Sequence, residues 1–163
     1  MKLETLRDLY VEQLQDLYSA ENQIIDALPK MIESASSEDL KEGLQTHLKE
    51  TEQQAQRLEQ IFKELGAKSK GSECKGMKGL LQEGKELLAE DAEPEVLDAG
   101  IIASCQRVEH YEMAGYGCVK TYAKLLGFSE QVKLLEQTLN EEKHADEVLN
   151  EAAENINIEA KAA

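Results

Sequence analysis

The chain contains four helix-length stretches in which apolar residues recur every three or four positions, the spacing of one buried helical face. They cover about residues 5–34, 37–65, 94–126 and 129–155. At 1.5 Å per residue each would be about 40 to 48 Å long. The connections after the first and third stretches are very short, and such connections force antiparallel helical hairpins. The sequence therefore predicts an all-α bundle made of two hairpins.

Capping and helix-breaking residues set the predicted helix ends. Ser37 is an N-cap candidate for the second long helix, Gly66 is a natural stop after it, and Pro94 suits the first turn of the third. Pro29 lacks a backbone N–H and predicts a kink or an end of the first helix near Leu28.

The long connection between the hairpins predicts one short amphipathic helix over 77–88. Two hairpins joined by one long crossover form the ferritin-like topology, whereas an up-down-up-down bundle is the alternative that the long connection disfavours. The sequence thus predicts a ferritin-like four-helix bundle over 1–157 and a frayed C-terminal tail over 158–163.

Composition excludes several classes of partner. With 33 acidic and 18 basic residues the formal net charge is -15, so a nucleic-acid backbone would be repelled. No apolar run reaches membrane-spanning length and the first ten residues lack the apolar core of a signal peptide, so we expect no membrane partner and a cytoplasmic location. The cysteines, at 74, 105 and 118, have no metal-like spacing and are expected to be free thiols.

Acidic residues interrupt each apolar stripe near its middle. Steps of three and four along the stripes reach a set of polar residues that we treat as candidate metal ligands: Glu21, His47, Glu50, Gln54, Glu109, Glu112, Glu142 and Asp146. Glu21 and Glu50 are equidistant from the first tight turn, and Glu112 and Glu142 from the second. Each hairpin therefore places carboxylates at one level of the bundle.

Carboxylates gathered in a dry interior need a cation, because burying even one ionised carboxylate without a partner is very costly. The nearest basic residues, Lys49, Arg57 and Arg107, lie off the stripes. Oxygen-rich sites suit iron or manganese, and less well magnesium or calcium. The sequence predicts two divalent metal ions, with iron as the first choice and manganese as the alternative, bridged by Glu50 and Glu142.

A Glu-x-x-His motif ends at His144, but His144 lies on the solvated face of the fourth stretch. The stripe argument favours Glu142 with Asp146 instead, because these two share the inner face at a spacing of i, i+4. Tyr116 lies on the inner stripe as well, where its hydroxyl is expected to bond a ligand carboxylate.

Four segments resemble the YciE/YciF family of ferritin-like, rubrerythrin-related bacterial stress proteins over nearly the whole chain. They are Tyr18-Ser19-Ala20-Glu21, His47-Leu48-Lys49-Glu50-Thr51, residues 108–117 around Glu109 and Glu112, and residues 138–146 around Glu142. The resemblance implies a di-iron centre that reacts with dioxygen or peroxide. Glu109 and Tyr116 match the Glu-x6-Tyr pattern of that superfamily, which makes Tyr116 the candidate catalytic residue.

The sequence departs from those relatives in two places. Glu50-x-x-Gln53 stands where relatives have Glu-x-x-His, so His47 or Gln54 is expected to supply the missing ligand. The chain also has no rubredoxin-like four-cysteine module to deliver electrons.

Two functions of different classes follow from these features. The first is a ferroxidase- or peroxidase-type oxidoreductase of the stress response, which oxidises Fe(II) or reduces peroxide and whose partners are metal ions and dioxygen or peroxide. The alternative is a non-enzymatic stress-associated assembly protein with a structural or vestigial metal site. Iron storage in a shell is disfavoured because no fifth shell-forming helix is evident. We expect the protein to be a homodimer.

Overall fold

The computed structural model describes residues 2–163, and within them the chain forms five α-helices. They are α1 (Leu6–Ser34), α2 (Glu38–Leu65), α3 (Lys75–Leu87), α4 (Pro94–Leu125) and α5 (Ser129–Ala162). The predicted all-α fold is confirmed, and α3 is the predicted short helix of the long connection.

The helix ends follow the capping residues. Thr5 and Asp8 form a capping box at the start of α1, and the Ser37 side chain accepts a hydrogen bond from the backbone N–H of Leu40. Gly66 ends α2 in the left-handed conformation at φ 62°, which a residue without a Cβ adopts without strain. Pro94 is at the first turn of α4, as predicted.

Two expectations about helix ends differ from the structure. Helix α1 continues through Pro29 to Ser34, so the alternative that Pro29 ends the helix near Leu28 is wrong, and the kink stays a prediction. Pro29 is exposed, so the carbonyl that loses its N–H partner lies on the solvent side of the helix. The last helix does not stop near Asn155 either, since α5 continues to Ala162 and Ile156 in its last third is buried against the core.

Hydrogen bonds between the ends of helices fix the topology. Asp98, in the first turns of α4, accepts the backbone N–H groups of Ser36 (2.8 Å) and Ser37 (2.7 Å) in the α1–α2 turn. At the opposite end, the Tyr10 hydroxyl of α1 donates to Gln131 of α5 at 2.9 Å. Helices α2 and α4 therefore start at the same end and run parallel, so the connection that carries α3 returns along the length of the bundle.

Each hairpin packs on the other through two helix pairs. Helix α1 contacts α4 and α2 contacts α5, while α3 lies over both α1 and α4. One side of the bundle is thus covered by a fifth helix, and the α2–α5 side lacks such a cover in the described part of the chain.

The core is divided into three layers along the bundle axis. An apolar cluster near the α1–α2 turn includes Ile24, Leu44 and Ile102, and a second one near the α4–α5 turn includes Leu14, Ile61 and Leu135. Between them lies a layer of buried polar side chains, which consists of Glu21, His47, Thr51, Gln54, Glu109, Glu112, Thr138 and Glu142. Within residues 2–163, none of the helices has both the length and the apolar character needed to cross a bilayer.

Candidate metal centre

Four residues of the polar layer meet at one point inside the bundle. His47 comes from α2, Glu109 and Glu112 from α4, and Glu142 from α5, and one ligand atom of each lies within 4.8 Å of those of the other three. All four side chains are buried, with Glu112 and Glu142 at 0% exposure. The three carboxylates and the imidazole form a donor set that could hold a metal ion. We call these four residues the metal group.

Most donor atoms of the metal group have no hydrogen-bond partner within the protein. Both carboxylate oxygens of Glu112 and of Glu142, and Oε2 of Glu109, have no hydrogen-bond partner. Nε2 of His47 lies 3.2 Å from Oε1 of Glu109, but the two atoms are not aligned as a hydrogen bond. Buried polar atoms are nearly always satisfied in native proteins, so this set fits a cation that several donors share.

Burial and mutual repulsion raise the pKa of three acids of this layer, Glu21, Glu109 and Glu112. The pKa of Glu112 is raised well above its usual value by burial and by the charges of Glu21, Glu142 and Glu109. Burial also raises the pKa of Glu109, followed by the charge of Glu142. Without a cation Glu109 and Glu112 thus favour the protonated form, whereas a bound cation would favour their ionised form.

Glu21 adjoins the metal group from α1. It is fully buried, its Oε1 accepts a short hydrogen bond from the Tyr116 hydroxyl, and its Oε2 has no partner. Burial raises the pKa of Glu21, and the charge of Glu142 raises it further. The pKa of Tyr116 is raised by burial and then by the charge of Glu21, so the phenol stays protonated and donates. The expected bond between Tyr116 and a candidate ligand carboxylate is present.

Gln54 is held by an ion pair beside the metal group. Its Nε2 donates a hydrogen bond to the Glu141 carboxylate at 3.2 Å, and Arg57 donates two hydrogen bonds to the same carboxylate at 2.5 and 2.7 Å. Arg57 also donates to Thr138 at 3.1 Å. Because its N–H group is used in this way, Gln54 keeps a buried Oε1 without a partner, which is a further oxygen donor.

Glu50 and Asp146 lie outside the metal group. Glu50 is half-buried, and burial raises its pKa while His47 lowers it. Asp146 accepts hydrogen bonds from Gln106 (3.2 Å) and Asn150 (3.3 Å), so its carboxylate already has partners. The structure does not bring these two acids together with the other four residues, and their role as ligands stays a prediction.

The remaining sequence expectations concern residues around the layer. His144 is exposed, as expected, and its Nδ1 lies 3.9 Å from Oε2 of Glu147. Cys105 is a buried free thiol whose pKa is raised to about 12 by burial and then by Glu109.

Three polar contacts were not predicted from the sequence. Arg57 reaches Glu141 although it lies off the apolar stripe, Asp98 caps the α1–α2 turn, and a network joins Asp16, Cys74 and Tyr111. The spacing of Gln54 and Arg57, three residues apart on one helix face, is a signal that could have indicated the first contact. No local sequence signal marks the other two, because their partners are far apart in the sequence.

The chain matches known proteins over nearly its whole length. The family described as "Domain of unknown function (DUF892)" matches residues 5–162. Protein YciF of Escherichia coli K12 is 40% identical over 163 residues, which is 99% of this chain and 98% of that protein. The crystal structure of the E. coli stress protein YciF superposes with a TM-score of 0.91 at 40% identity, covering 94% of this chain and 98% of the other.

Two further structures are similar. YcfI from Rhodopseudomonas palustris, to which a structural role is ascribed, has a TM-score of 0.88 at 48% identity, covering 91% of this chain and 95% of that one. A protein from Xanthomonas campestris pv. campestris shares the fold at 23% identity with a TM-score of 0.80 and 97% coverage of both chains. The predicted kinship with YciF is confirmed, and the chain belongs to the DUF892 family.

Proposed function

We propose that this protein is a ferritin-like metal protein of the rubrerythrin-related type, which holds two divalent ions, iron first and manganese as the alternative, in its polar layer. The observation that carries the proposal is the set of buried donor atoms without hydrogen-bond partners on Glu109, Glu112, Glu142 and His47. Unsatisfied buried carboxylates cost several kcal/mol of stability each, so a fold that gathers them needs a compensating ligand.

The donor chemistry supports iron or manganese over zinc. The metal group has three carboxylates and one imidazole, and all three cysteines are free, with neither Cys74 nor Cys105 placed in the group. Hard oxygen donors with one nitrogen donor suit Fe(II) and Mn(II). Oε2 of Glu21 and Oε1 of Gln54 are further buried oxygen donors without partners in the same polar layer, which supports a second ion.

A pair of iron ions held by such donors would supply the electrons for reduction of dioxygen or peroxide. The residues around it have separate tasks. The Tyr116 hydroxyl donates a hydrogen bond to Oε1 of Glu21, which leaves Oε2 of Glu21 without a partner. The Arg57–Glu141 pair holds the amide of Gln54. The two apolar clusters exclude water along the bundle axis above and below the layer.

A second candidate is a structural metal site in a stress-associated assembly protein. The complete burial of Glu112 and Glu142 favours it, because a site at 0% exposure restricts access for a substrate. The structural role ascribed to the relative YcfI is of the same kind. A homodimer and a cytoplasmic location stay predictions.

Metal loading separates these possibilities. The metal-free protein is titrated anaerobically with Fe(II), and dioxygen is then added while oxygen consumption and near-ultraviolet absorption are followed. If the protein is an oxidase, we expect oxygen uptake in proportion to bound iron. The uptake should be lost in Glu112→Gln and kept in the control Glu52→Gln, because Glu52 is exposed on α2 and is not part of the metal group. Tight binding without oxygen uptake above the Glu112→Gln background would support the structural role, and the absence of binding would refute both.

A further inference from the structure

A cleft of about 350 Å³ between α2 and α5 leads to the metal group. Exposed or half-buried residues at its outer side are Asp39, Glu42, Thr46, Glu50 and His144, and its inner wall includes His47 and Glu109. These two inner residues are 6% and 1% exposed and carry donor atoms without hydrogen-bond partners. The cleft therefore ends at two residues that carry unsatisfied ligand atoms.

The opposite side of the layer is nearly closed. A space behind α3 that also touches His47 and Glu109 has a volume of only about 10 Å³ and is lined mainly by apolar residues such as Leu81 and Val108. That volume is at the lower limit for one water molecule. The apolar clusters fill the bundle above and below the layer. A hydrated ion has far more room on the α2–α5 side.

The charges along the cleft favour a cation. Asp39, Glu42 and Glu50 line it, and its described lining contains neither lysine nor arginine. Glu50 and His144 also line an adjoining shallow cleft on the surface, so Glu50 lies where the surface meets the approach to His47. A concave acidic surface with low-dielectric walls raises the local concentration of cations and their association rate by about tenfold or more.

We propose that the α2–α5 cleft is the path by which a divalent cation reaches the metal group, and that Glu50 is the carboxylate that transfers the ion inward rather than a resident ligand. The half-buried position of Glu50, outside the metal group but on the approach to His47, carries this assignment. The inference rests on the proposed function, because it requires that the group binds a metal.

Uptake kinetics and equilibrium binding test the path separately. Fe(II) is mixed anaerobically with metal-free protein in a stopped-flow instrument, with calcein as fluorescent reporter of free Fe(II), and stoichiometry and affinity come from equilibrium dialysis. The variants are Glu50→Gln and, as its charge control, Glu52→Gln on the exposed face of α2. Gly43→Leu obstructs the cleft, whereas Gly43→Ala is the control for bulk, since a Cβ at Gly43 would meet Val148 Cγ1 at an ordinary 3.5 Å.

The expected result is an uptake rate roughly fivefold lower in Glu50→Gln and weaker salt dependence, with unchanged stoichiometry and affinity. Gly43→Leu should slow uptake comparably, while both controls should match the wild type. Uptake at the wild-type rate in Glu50→Gln would overturn the path, and a loss of equilibrium affinity in that variant would show that Glu50 is a resident ligand. A wild type that binds no Fe(II) would overturn the proposed function and this inference together.

Discussion

Removal of one buried carboxylate should make the metal-free protein more stable at neutral pH. Glu112 is fully buried, both of its oxygens lack partners, and burial and neighbouring acids raise its pKa. Between the ordinary value of about 4.5 and the raised pKa, the folded protein binds a proton that the unfolded chain has released. Stability is therefore lost as the pH rises through this window, and Glu112→Gln should recover it.

The size of the effect follows from proton linkage. One carboxyl that stays protonated only in the fold costs about 1.4 kcal/mol for each pH unit between its ordinary and its raised pKa. Glu21 and Glu109 have pKa values raised in the same direction, burial being the first cause, and they add to the slope. Glutamine keeps the shape of the side chain and removes the titration.

Urea unfolding in the presence of a chelator at pH 5, 6, 7 and 8 measures this effect. The wild type should lose stability as the pH rises and Glu112→Gln should lose less, whereas Glu52→Gln on the surface should follow the wild type. Addition of Fe(II) or Mn(II) should reverse the order, since only the wild type keeps the full donor set. A metal-free wild type whose stability stays constant or increases from pH 5 to 8 would refute the reasoning.

Three further changes test single contacts. His47→Gln should weaken metal affinity at least about tenfold in competition with a chelator, and unchanged affinity would exclude the imidazole as a ligand. Tyr116→Phe should destabilise the metal-free protein by about 1–3 kcal/mol in urea, because Glu21 loses its buried hydrogen bond; an unchanged midpoint would contradict this. Asp98→Ala should cost about 2 kcal/mol or more, since two backbone N–H groups of the α1–α2 turn lose their acceptor; equal stability of Asp98→Ala and wild type would show that this contact is dispensable.

The sequence predicts the layer of acids because helical periodicity is a strong constraint. A polar residue on an apolar stripe lies in the interior because the rest of the stripe is buried. Two residues that are equally far from a tight turn lie at the same level of the bundle. Glu21, Glu109, Glu112 and Glu142 are buried because they lie on such stripes, and Glu112 and Glu142, which are equally far from the second turn, do meet.

Periodicity cannot predict how far a side chain extends from its helix or which partner satisfies it. Glu50 borders its stripe, and in the structure it is half-buried on the cleft. The Asp146 side chain is one methylene shorter than that of glutamate, and its carboxylate accepts hydrogen bonds from Gln106 and Asn150. Arg57 has a long side chain that returns from outside its stripe to Glu141.

The helix ends show the same limit. Pro29 removes one hydrogen bond, but packing of Leu28 and Met31 on either side outweighs that loss and α1 continues. The length of α5 depends on the contact of Ile156 with the core near the α1–α2 turn, and the residues of α5 alone do not reveal that contact.

The central claim is that cations occupy the buried polar layer between the two apolar clusters. A crystal of the protein grown with Fe(II) or Mn(II) and measured at the absorption edge of that metal locates the ions by anomalous scattering. Anomalous peaks are expected within bonding distance of Glu112 and Glu142, at the level of His47 and Glu109. A map without anomalous density there, in protein soaked to saturation, would contradict it.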